Sequence, residues 1–251
     1  MLSKNQLKKL RGLQRKKERK ASGLFIVEGK KIVSELLESS SAYVEIYALP
    51  SWFSANPFYA HKDNSFELSE KELAQVSSFK TPNEVLLVLN QLELVDFSKA
   101  LNTSTILALD GVKDPGNLGT IIRLAHWFGI VHILCTSDTV DLYNPKTVQS
   151  AMGSITKVRM HYGSLVEMLN YFPEHKIIAC ALNGKSIYKE GFQEKSIVLM
   201  GSESHGISDE LLKIAHNKVT IPSFSNSEID SLNVATATAI ILSELKSKAA
   251  L

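Results

Sequence analysis

The residues best suited to chemistry cluster at one turn, Asp114-Pro115-Gly116-Asn117, between an apolar strand and an amphipathic helix. Such a turn places polar side chains and free backbone amides at the carboxyl edge of a parallel sheet, where α/β proteins bind ligands. The helix is predicted over 118–128 and carries Arg123 within its first two turns, close enough to reach back over that edge. These features predict a reaction centre.

Two further stretches place polar groups directly after apolar strands. The first, 198–208, ends in a glycine-rich turn that carries Glu203 between Gly201 and Gly206. The second, 220–235, passes from a strand through a polar loop into a helix. Both also have a structural interpretation, because Glu203 could cap the helix that begins at Ser208, and Ser231 is a typical helix N-cap residue.

A nucleotide-binding interpretation is weaker. Residues 179–186, ACALNGKS, match a relaxed P-loop pattern that would place Lys185 on phosphates. However, the apolar strand continues through Leu182, and Gly191 interrupts any helix after the lysine, whereas a P-loop needs a helix there. The spacing of Gly111 and Gly116 also fits, but no lysine follows, and no GxGxxG motif occurs. A P-loop nucleotidase is therefore only a distant alternative.

Hydrophobic periodicity predicts an α/β protein. Unbroken Val/Ile/Leu runs alternate with helical patterns, which favours a mostly parallel sheet covered on both faces. A smaller α/β region precedes it, and 90–103 is predicted to link the two. The predicted strands are 24–29, 44–49, 85–89, 106–109, 131–135, 177–182, 197–200 and 219–221; the predicted helices are 30–39, one from 69, 118–128, 145–152, 165–171, 208–216 and 232–245.

Composition limits the class of protein. The chain has 251 residues, 44% of them hydrophobic, which is enough for one large core or two modest ones. No apolar run approaches the roughly 20 residues of a membrane helix, and the N-terminus does not resemble a signal peptide, so a cytoplasmic location is expected. Cys135 and Cys180 are predicted to be buried free thiols, and no histidines have metal-ligand spacing, so no metal is expected.

Positive charge is concentrated at the N-terminus. The first 20 residues hold 9 of the 28 Lys and Arg and one of the 26 Asp and Glu, although the formal net charge of the chain is only +2. Leucines at 7, 10 and 13 mark one helical face, so a helix docked by its leucines is one interpretation. Binding to a nucleic acid is favoured, because lysines and arginines that neutralise phosphates release counterions. The candidate RNA-binding residues are Lys8, Lys9, Arg11, Arg15, Lys16 and Lys17.

Together and in this order, the three polar stretches resemble the three motifs of the SpoU/TrmH family of RNA ribose methyltransferases, within the SPOUT superfamily. The first motif corresponds to 114–119 with Arg123, the second to 201–206, and the third to Ile221-Pro222 with Ser231-Leu232-Asn233-Val234. This resemblance covers 105–245. Upstream, 25–29 and Thr81-Pro82 resemble the family's small substrate-binding domain of the ribosomal-protein L30e type.

The resemblance implies a deep trefoil knot at the C-terminal end of the sheet, which would bind S-adenosylmethionine. It assigns the cofactor to Gly201, Ile221 and Leu232, with the loop after Leu182 closing the pocket and Asn233 near the cofactor carboxylate. It also implies a homodimer that packs knot against knot, in which motif-one residues of one subunit complete the site of the other. Ser204 in place of the usual glycine and a long loop after Pro222 depart from the family pattern.

The same resemblance assigns the catalytic roles. Arg123 is expected to bind the neighbouring phosphate and polarise the ribose 2′-hydroxyl. The family mechanism makes this arginine a general base, which conflicts with a guanidinium pKa of roughly 12.5–13.8. Asn117 and Asn233 are expected to orient the arginine, the substrate and the cofactor, and Glu203 to position Arg123 or Asn117.

The expected protein is an S-adenosylmethionine-dependent RNA 2′-O-methyltransferase. Ribosomal RNA is favoured as the substrate, because the chain has a separate substrate domain and a basic N-terminus. The alternatives are a transfer RNA 2′-O-methyltransferase and a non-catalytic RNA-binding relative of the same fold. The predicted domains are a basic helix at 1–20, an L30e-like RNA-binding domain at 21–95 and a knotted methyltransferase domain at 104–251.

Overall fold

The computed structural model describes residues 2–39, 42–92, 105–189, 195–225 and 231–249. The chain divides into two compact units, Met1–Glu93 with Tyr143–Gly153, and Leu94–Leu142 with Ser154–Leu251. A short piece of the predicted domain 104–251 thus belongs to the first unit. The linker predicted at 90–103 lies almost wholly outside the described residues.

The first unit contains a mixed four-stranded sheet in the order β1-β4-β2-β3. The β1/β4 and β2/β4 pairs are antiparallel, and the β2/β3 pair is parallel. In chain order its elements up to residue 92 are α1 (Lys4–Gly12), α2 (Lys16–Ser22), β1 (Leu24–Glu28), α3 (Lys30–Glu38), β2 (Glu45–Ala48), α4 (Pro50–Ala55), a 3-10 turn (Pro57–Tyr59), β3 (Ser65–Glu67), α5 (Glu70–Val76) and β4 (Val85–Asn90).

The second unit contains a six-stranded sheet in the order β10-β8-β9-β5-β6-β7, in which every pair is parallel. The prediction of a mostly parallel sheet is therefore confirmed. The elements from residue 105 onward are β5 (Thr105–Asp110), α6 (Pro115–Trp127), β6 (His132–Thr136), α7 (Pro145–Ala151), a 3-10 turn (Met152–Thr156), β7 (Arg159–Gly163), α8 (Leu165–Leu169), β8 (Lys176–Ser186), β9 (Ser196–Gly201), α9 (Asp209–Ile214), β10 (Asn217–Thr220) and α10 (Val234–Ala249). Helix α7 belongs to the first unit.

The basic N-terminal segment forms two helices, so the prediction of one helix over 1–20 is wrong. The chain turns at 13–15, where Arg19 is buried and its Nη1 donates to the carbonyls of Leu13 and Gln14 at 3.0 and 2.9 Å. Leu10 and Leu13 are 0% and 3% exposed and belong to a cluster with Tyr47 of β2. The leucine stripe therefore docks α1 onto the first sheet, and the segment is part of that unit's core.

Two elements of the second unit differ from the sequence prediction. Strand β7 was not predicted, because Arg159, His161 and Tyr162 interrupt any apolar run; it forms at the sheet edge by pairing with β6. Helix α6 begins at Pro115, three residues before the predicted start. Arg123 therefore lies in the third helical turn, about 12 Å along the axis from the first residue at 1.5 Å per residue, and the expectation that it lies within the first two turns is wrong.

The core of the second unit surrounds its central strands. Strands β5 and β9 are buried along almost their whole length, and residues of α8 and α9 pack against them. Cys135 is buried and Cys180 is half-buried, and both are free thiols. No helix in the described part of the chain is long and apolar enough to cross a membrane.

Two histidines on neighbouring strands, β6 and the edge strand β7, predict a pH-dependent stability. Nδ1 of His132 lies 3.0 Å from Nε2 of His161. Burial lowers the pKa of both below the usual 6.5, and the positive charge of Arg159 lowers that of His132 further. Because the unfolded chain binds more protons than the folded chain below about pH 6.5, stability is full above that pH and is lost as the pH falls through it.

Urea unfolding midpoints at pH 7.5 and 5.5 measure this effect. The midpoint of the wild type is expected to fall at pH 5.5, and His161→Gln should reduce that drop. His61→Asn is the matched control, because His61 is exposed and asparagine tolerates its left-handed backbone. An identical drop in wild type and His161→Gln would contradict the assignment.

Candidate active site

Three polar loops start at the same edge of the parallel sheet. Strands β5 and β9 are neighbours, and their last residues, Asp110 and Gly201, lie opposite each other in the register. On the side of β9 away from β5 lies β8, and β10 pairs with β8 and ends at Thr220. Since parallel strands end at a common edge, the residues that follow these strands are brought together, as the sequence predicts.

The first loop is fixed by the cap of α6. The carboxylate of Asp114 accepts a hydrogen bond from the backbone N–H of Asn117 at 2.8 Å, and Pro115 occupies the first helical turn. A capping aspartate at the positive end of a helix satisfies free backbone amides and orients the first turn. This cap sets the position of the Asn117 side chain.

The second loop is a tight turn closed on itself. Ser202 and Gly206 exchange backbone hydrogen bonds of 3.1 and 2.9 Å, so that Glu203, Ser204 and His205 form the tip. A Cβ at Gly201 would overlap the backbone of Gly206, which explains the glycine at the end of β9. Any side chain at position 201 would displace the 202–206 turn, because even the methyl group of alanine has no room there.

The turn is also attached to β5. A carboxylate oxygen of Asp110 accepts a hydrogen bond from the backbone N–H of Ser208 at 2.8 Å. The interpretation of Glu203 as a cap for the next helix is wrong: α9 begins at Asp209, and Glu203 instead contacts Asn117. Sequence reasoning missed Asp110, although a single carboxylate at the end of a buried strand was a usable signal.

Side chains from all three loops form one hydrogen-bonded chain. Nδ2 of Asn233 donates to Oδ1 of Asn117 at 2.9 Å, and Nδ2 of Asn117 donates to a carboxylate oxygen of Glu203. Each such bond contributes only about 0.5–1.5 kcal/mol, but together they fix which way both amides point. The structure thus brings three of the four predicted catalytic residues together.

Asn233 performs a second task. Its Oδ1 accepts from the backbone N–H groups of Ala235 and Thr236 at 2.9 and 3.2 Å, so Asn233 caps α10. The interpretation of Ser231 as the N-cap is therefore wrong, and the helix begins at Val234. Because its oxygen serves the helix, its amide N–H group is left to hold Asn117.

Arg123 stands apart from this chain. It is exposed on α6, and none of the described residues forms a hydrogen bond or ion pair with it. Of the two partners expected for Glu203, the structure therefore gives Asn117 and not Arg123. The guanidinium has its donors available for a phosphate or a hydroxyl, which it binds through a planar fork.

Apart from Asn233, two of the predicted cofactor residues lie at strand ends, and the other two do not. Gly201 ends β9, Ile221 follows β10 directly and is half-buried, and Leu232 precedes α10 with 46% exposure. Leu182 is 73% exposed and lies inside β8, which continues to Ser186. The expected loop after Leu182 is therefore wrong, because pairing with β10 keeps the chain extended further.

That pairing depends on another glycine. Strand β10 follows β8 in one register at Lys218 and in another at Val219, which lies opposite Lys185. A Cβ at Gly184 would overlap the backbone of Val219, so only glycine permits this approach. Sequence reasoning missed Gly184, although an isolated glycine inside a strand is the usual signal for close backbone approach.

The P-loop alternative is excluded. Residues 179–186 lie in β8, and a turn follows at 187–189 where a P-loop requires a helix. In the described ranges no group of three His, Cys, Asp or Glu side chains is arranged to hold a metal ion.

Comparison with known proteins covers both units. The SpoU rRNA Methylase family matches residues 104–243, which is more than half of the chain. The MRM3-like substrate binding domain matches residues 4–87.

Similar proteins match over nearly the full length. The 23S rRNA (guanosine(2553)-2′-O)-methyltransferase RlmP of Bacillus subtilis is 32% identical over 97% of both chains. The structure of a putative TrmH-family RNA methyltransferase from Porphyromonas gingivalis has a TM-score of 0.84 and 35% identity, with 98% of both chains covered. An AdoMet-bound rRNA methyltransferase from Sinorhizobium meliloti has a TM-score of 0.85 and 27% identity, with 98% of this chain and 96% of that chain covered. The three motifs, their common sheet edge and these matches show that the chain belongs to the SpoU rRNA methylase family.

Proposed function

We propose that this protein transfers the methyl group of S-adenosylmethionine to a ribose 2′-hydroxyl of ribosomal RNA. The observation that carries the proposal is the hydrogen-bonded chain from Asn233 through Asn117 to Glu203, at the sheet edge where the three family motifs meet. RlmP, which matches 97% of the chain, is named as a 23S rRNA 2′-O-methyltransferase. A cytoplasmic location goes with a ribosomal RNA substrate.

The residues at the edge fit S-adenosylmethionine. The exposed apolar side chains of Leu182 and Leu232 offer contacts for a flat adenine ring, and Gly201 permits the close turn that follows β9 at this edge. In this proposal one N–H of the Asn233 amide holds Asn117 and the other binds the cofactor carboxylate. The cofactor supplies an electrophilic methyl group, and the chain must bind the cofactor and orient the hydroxyl toward that methyl group.

Arg123 acts on the RNA in this proposal. Its exposed guanidinium binds the phosphate next to the target ribose and polarises the 2′-hydroxyl, which helps the oxygen to lose its proton to solvent. Asn117 and Glu203 position the reacting groups in this proposal. The hydrogen bond from the Asn117 amide to the Glu203 carboxylate fixes the orientation of that amide. A non-catalytic RNA-binding relative would not require all four residues.

Isothermal titration with S-adenosylhomocysteine tests the cofactor assignment. Saturable binding with about one molecule per chain is expected, because the three loops share one sheet edge. ATP should produce no saturable heat, since the P-loop match lies in β8. A protein that binds ATP and not S-adenosylhomocysteine would contradict the proposed function.

The proposal includes the knotted, L30e-like and dimeric features of the family resemblance. The two registers between β8 and β10 support a close crossing of chain segments, and the mixed sheet of the first unit supports a separate substrate domain. A homodimer agrees with the 84% exposure of Trp127, which lies four residues after Arg123 on α6. Its expected mass is twice the 27.7 kDa of one chain.

The structure separates the six candidate RNA-binding residues into two groups. Lys9 pairs with Glu45 at 2.7 Å, and Arg11 donates to Oε1 of Gln75 at 2.8 Å, so both hold α1 on the first unit. The other four are exposed: Lys8, Arg15, Lys16 and Lys17. Three of these lie at the start of α2 or just before it, and we propose that this end of α2 contacts RNA phosphates.

A charge-neutralising double variant tests that contact. Lys16→Gln/Lys17→Gln should weaken RNA binding and reduce the slope of log affinity against log salt by about 1 to 2. Each phosphate contact that is lost lowers the number of counterions released on binding. Deleting the segment is unsuitable, because Leu10 and Leu13 are core residues.

The matched control is Lys157→Gln/Lys213→Gln, which changes the net charge equally at two exposed lysines of the second unit. Its salt slope should equal that of the wild type. If both double variants change the slope equally, the effect is one of total charge and the assignment to α2 fails.

A further inference from the structure

A solvent-exposed aromatic ring lies in the first unit, in the connection between α4 and β3. Phe58 is 73% exposed and occupies the 3-10 turn Pro57–Tyr59. Burying a phenylalanine side chain is favourable, so this exposed ring is available for a contact outside the chain.

The Phe58 ring packs against a cluster of aromatic side chains. Tyr59 lies 5.1 Å from Phe58 between ring centroids, at 89°. Tyr59 itself packs against Trp52 and Tyr43 at 6.0 and 6.3 Å. Its carbonyl accepts a hydrogen bond from Oγ of Ser65 at 2.6 Å. Phe58 is therefore held in place by a packed aromatic base.

A positive charge lies on the same ring. Nζ of Lys62 is 3.9 Å from the centroid of Phe58 and 5.2 Å from that of Tyr59. A cation at this distance over an aromatic face is attracted by the ring quadrupole. The ammonium of Lys62 covers one face of the Phe58 ring, and most of that side chain is exposed. A base that contacts the ring would therefore lie beside a positive charge that can bind a phosphate.

The turn lies at the same strand end as the basic helix. Asn64, just after the turn, donates to the carbonyl of Val44 at 3.2 Å and accepts from the N–H of Ile46 at 2.9 Å. Between these residues, Glu45 pairs with Lys9 of α1. The segment that leads from the aromatic turn to β3 and the helix α1 thus each contact the amino end of β2, within one compact unit.

We propose that Phe58 and Lys62 form a stacking site for an unpaired nucleobase of the RNA substrate, with Lys62 on an adjoining phosphate. Unpaired bases stack on exposed aromatic rings, and a neighbouring cation neutralises the backbone that carries them. A single ring with a lysine suits one base better than a protein partner, which would need a wider apolar surface. The inference rests on the proposed RNA substrate and on the substrate-binding match over 4–87.

Two substitutions at Phe58 distinguish a stacking contact of the ring from simple apolar contact. Phe58→Leu keeps an apolar side chain but removes the ring face, and should weaken binding of a ribosomal RNA transcript about 5- to 100-fold, the range of one stacked base. Phe58→Trp should bind as well as the wild type or better. Lys62→Gln should weaken binding and lower the salt slope by about 1.

The control is Tyr171→Leu, an exposed aromatic of the second unit, which should leave RNA affinity unchanged. S-adenosylhomocysteine affinity and single-turnover transfer at saturating RNA should also stay unchanged in Phe58→Leu, because this proposal gives Phe58 no part in cofactor binding or in the chemical step. Wild-type affinity in Phe58→Leu would overturn the stacking site while leaving the methyltransferase proposal intact. Equal losses in the leucine and tryptophan variants would also overturn it, since a shape-specific protein contact or a local packing role would then explain them.

Discussion

Arg123→Ala is expected to reduce methyl transfer to RNA by about 1000-fold, the upper range for removing one donor that stabilises developing charge. The protein should remain folded and bind S-adenosylhomocysteine with wild-type affinity, because Arg123 is exposed and pairs with none of the described residues. Single-turnover transfer from radiolabelled cofactor, at RNA concentrations above the dissociation constant of the variant, separates chemistry from binding.

Two companion variants sharpen this result. Arg123→Lys should also fail, because lysine keeps the charge but lacks the planar fork that holds a phosphate and a hydroxyl together. Lys113→Ala is the matched control, since it removes an exposed cation that precedes the same helix. Near wild-type turnover in Arg123→Ala would refute the catalytic role and direct attention to Asn117 and Asn233.

Gly201→Ala is expected to have the second large effect. The added Cβ would overlap the backbone of Gly206 and displace the turn that carries Glu203. Overpacking of this kind costs about 1–3 kcal/mol of folding stability. Because Glu203 anchors the chain of side chains to Asn117 and Asn233, S-adenosylhomocysteine affinity should fall at least about tenfold, which corresponds to about 1.4 kcal/mol.

Gly163→Ala provides a matched control for that substitution. Gly163 also ends a strand of the same sheet, but its Cβ would make an ordinary 3.8 Å contact with Met168. Calorimetric affinity and the unfolding midpoint should stay near wild type in this control. If Gly201→Ala bound S-adenosylhomocysteine as tightly as Gly163→Ala, the close approach to Gly206 would have no role in the site.

Much of the fold follows from local patterns in the sequence. Strands β5 and β9 are apolar runs bounded by polar turns, and the helix predicted from 69 is α5, which Ser69 and Glu72 cap with a capping box. The edge strand β7 was beyond this reasoning, because its polar residues are held by the pairing with β6 and by no periodicity of their own. The extension of β8 likewise depends on its distant partner, β10.

The site was predictable as a set of loops but not as a set of contacts. Strand ends in a parallel sheet fix which loops meet, so Asn117, Glu203 and Asn233 were correctly expected near one another. Which of them bond depends on caps: Asp114 sets the turn of α6, and Asn233 caps α10 with its oxygen. A long helix side chain such as Arg123 has no such local constraint, and its separation from Glu203 required the three-dimensional structure.

The most direct test of the central claim is to map the methyl group. Ribosomal RNA transcribed without modification is incubated with the protein and S-adenosylmethionine, and 2′-O-methylation is read as resistance of single phosphodiester bonds to alkaline hydrolysis. Protection at a defined nucleotide is predicted with the wild type and not with Arg123→Ala. Methylation of a base, or no transfer by a protein that binds both S-adenosylhomocysteine and the RNA, would contradict the account.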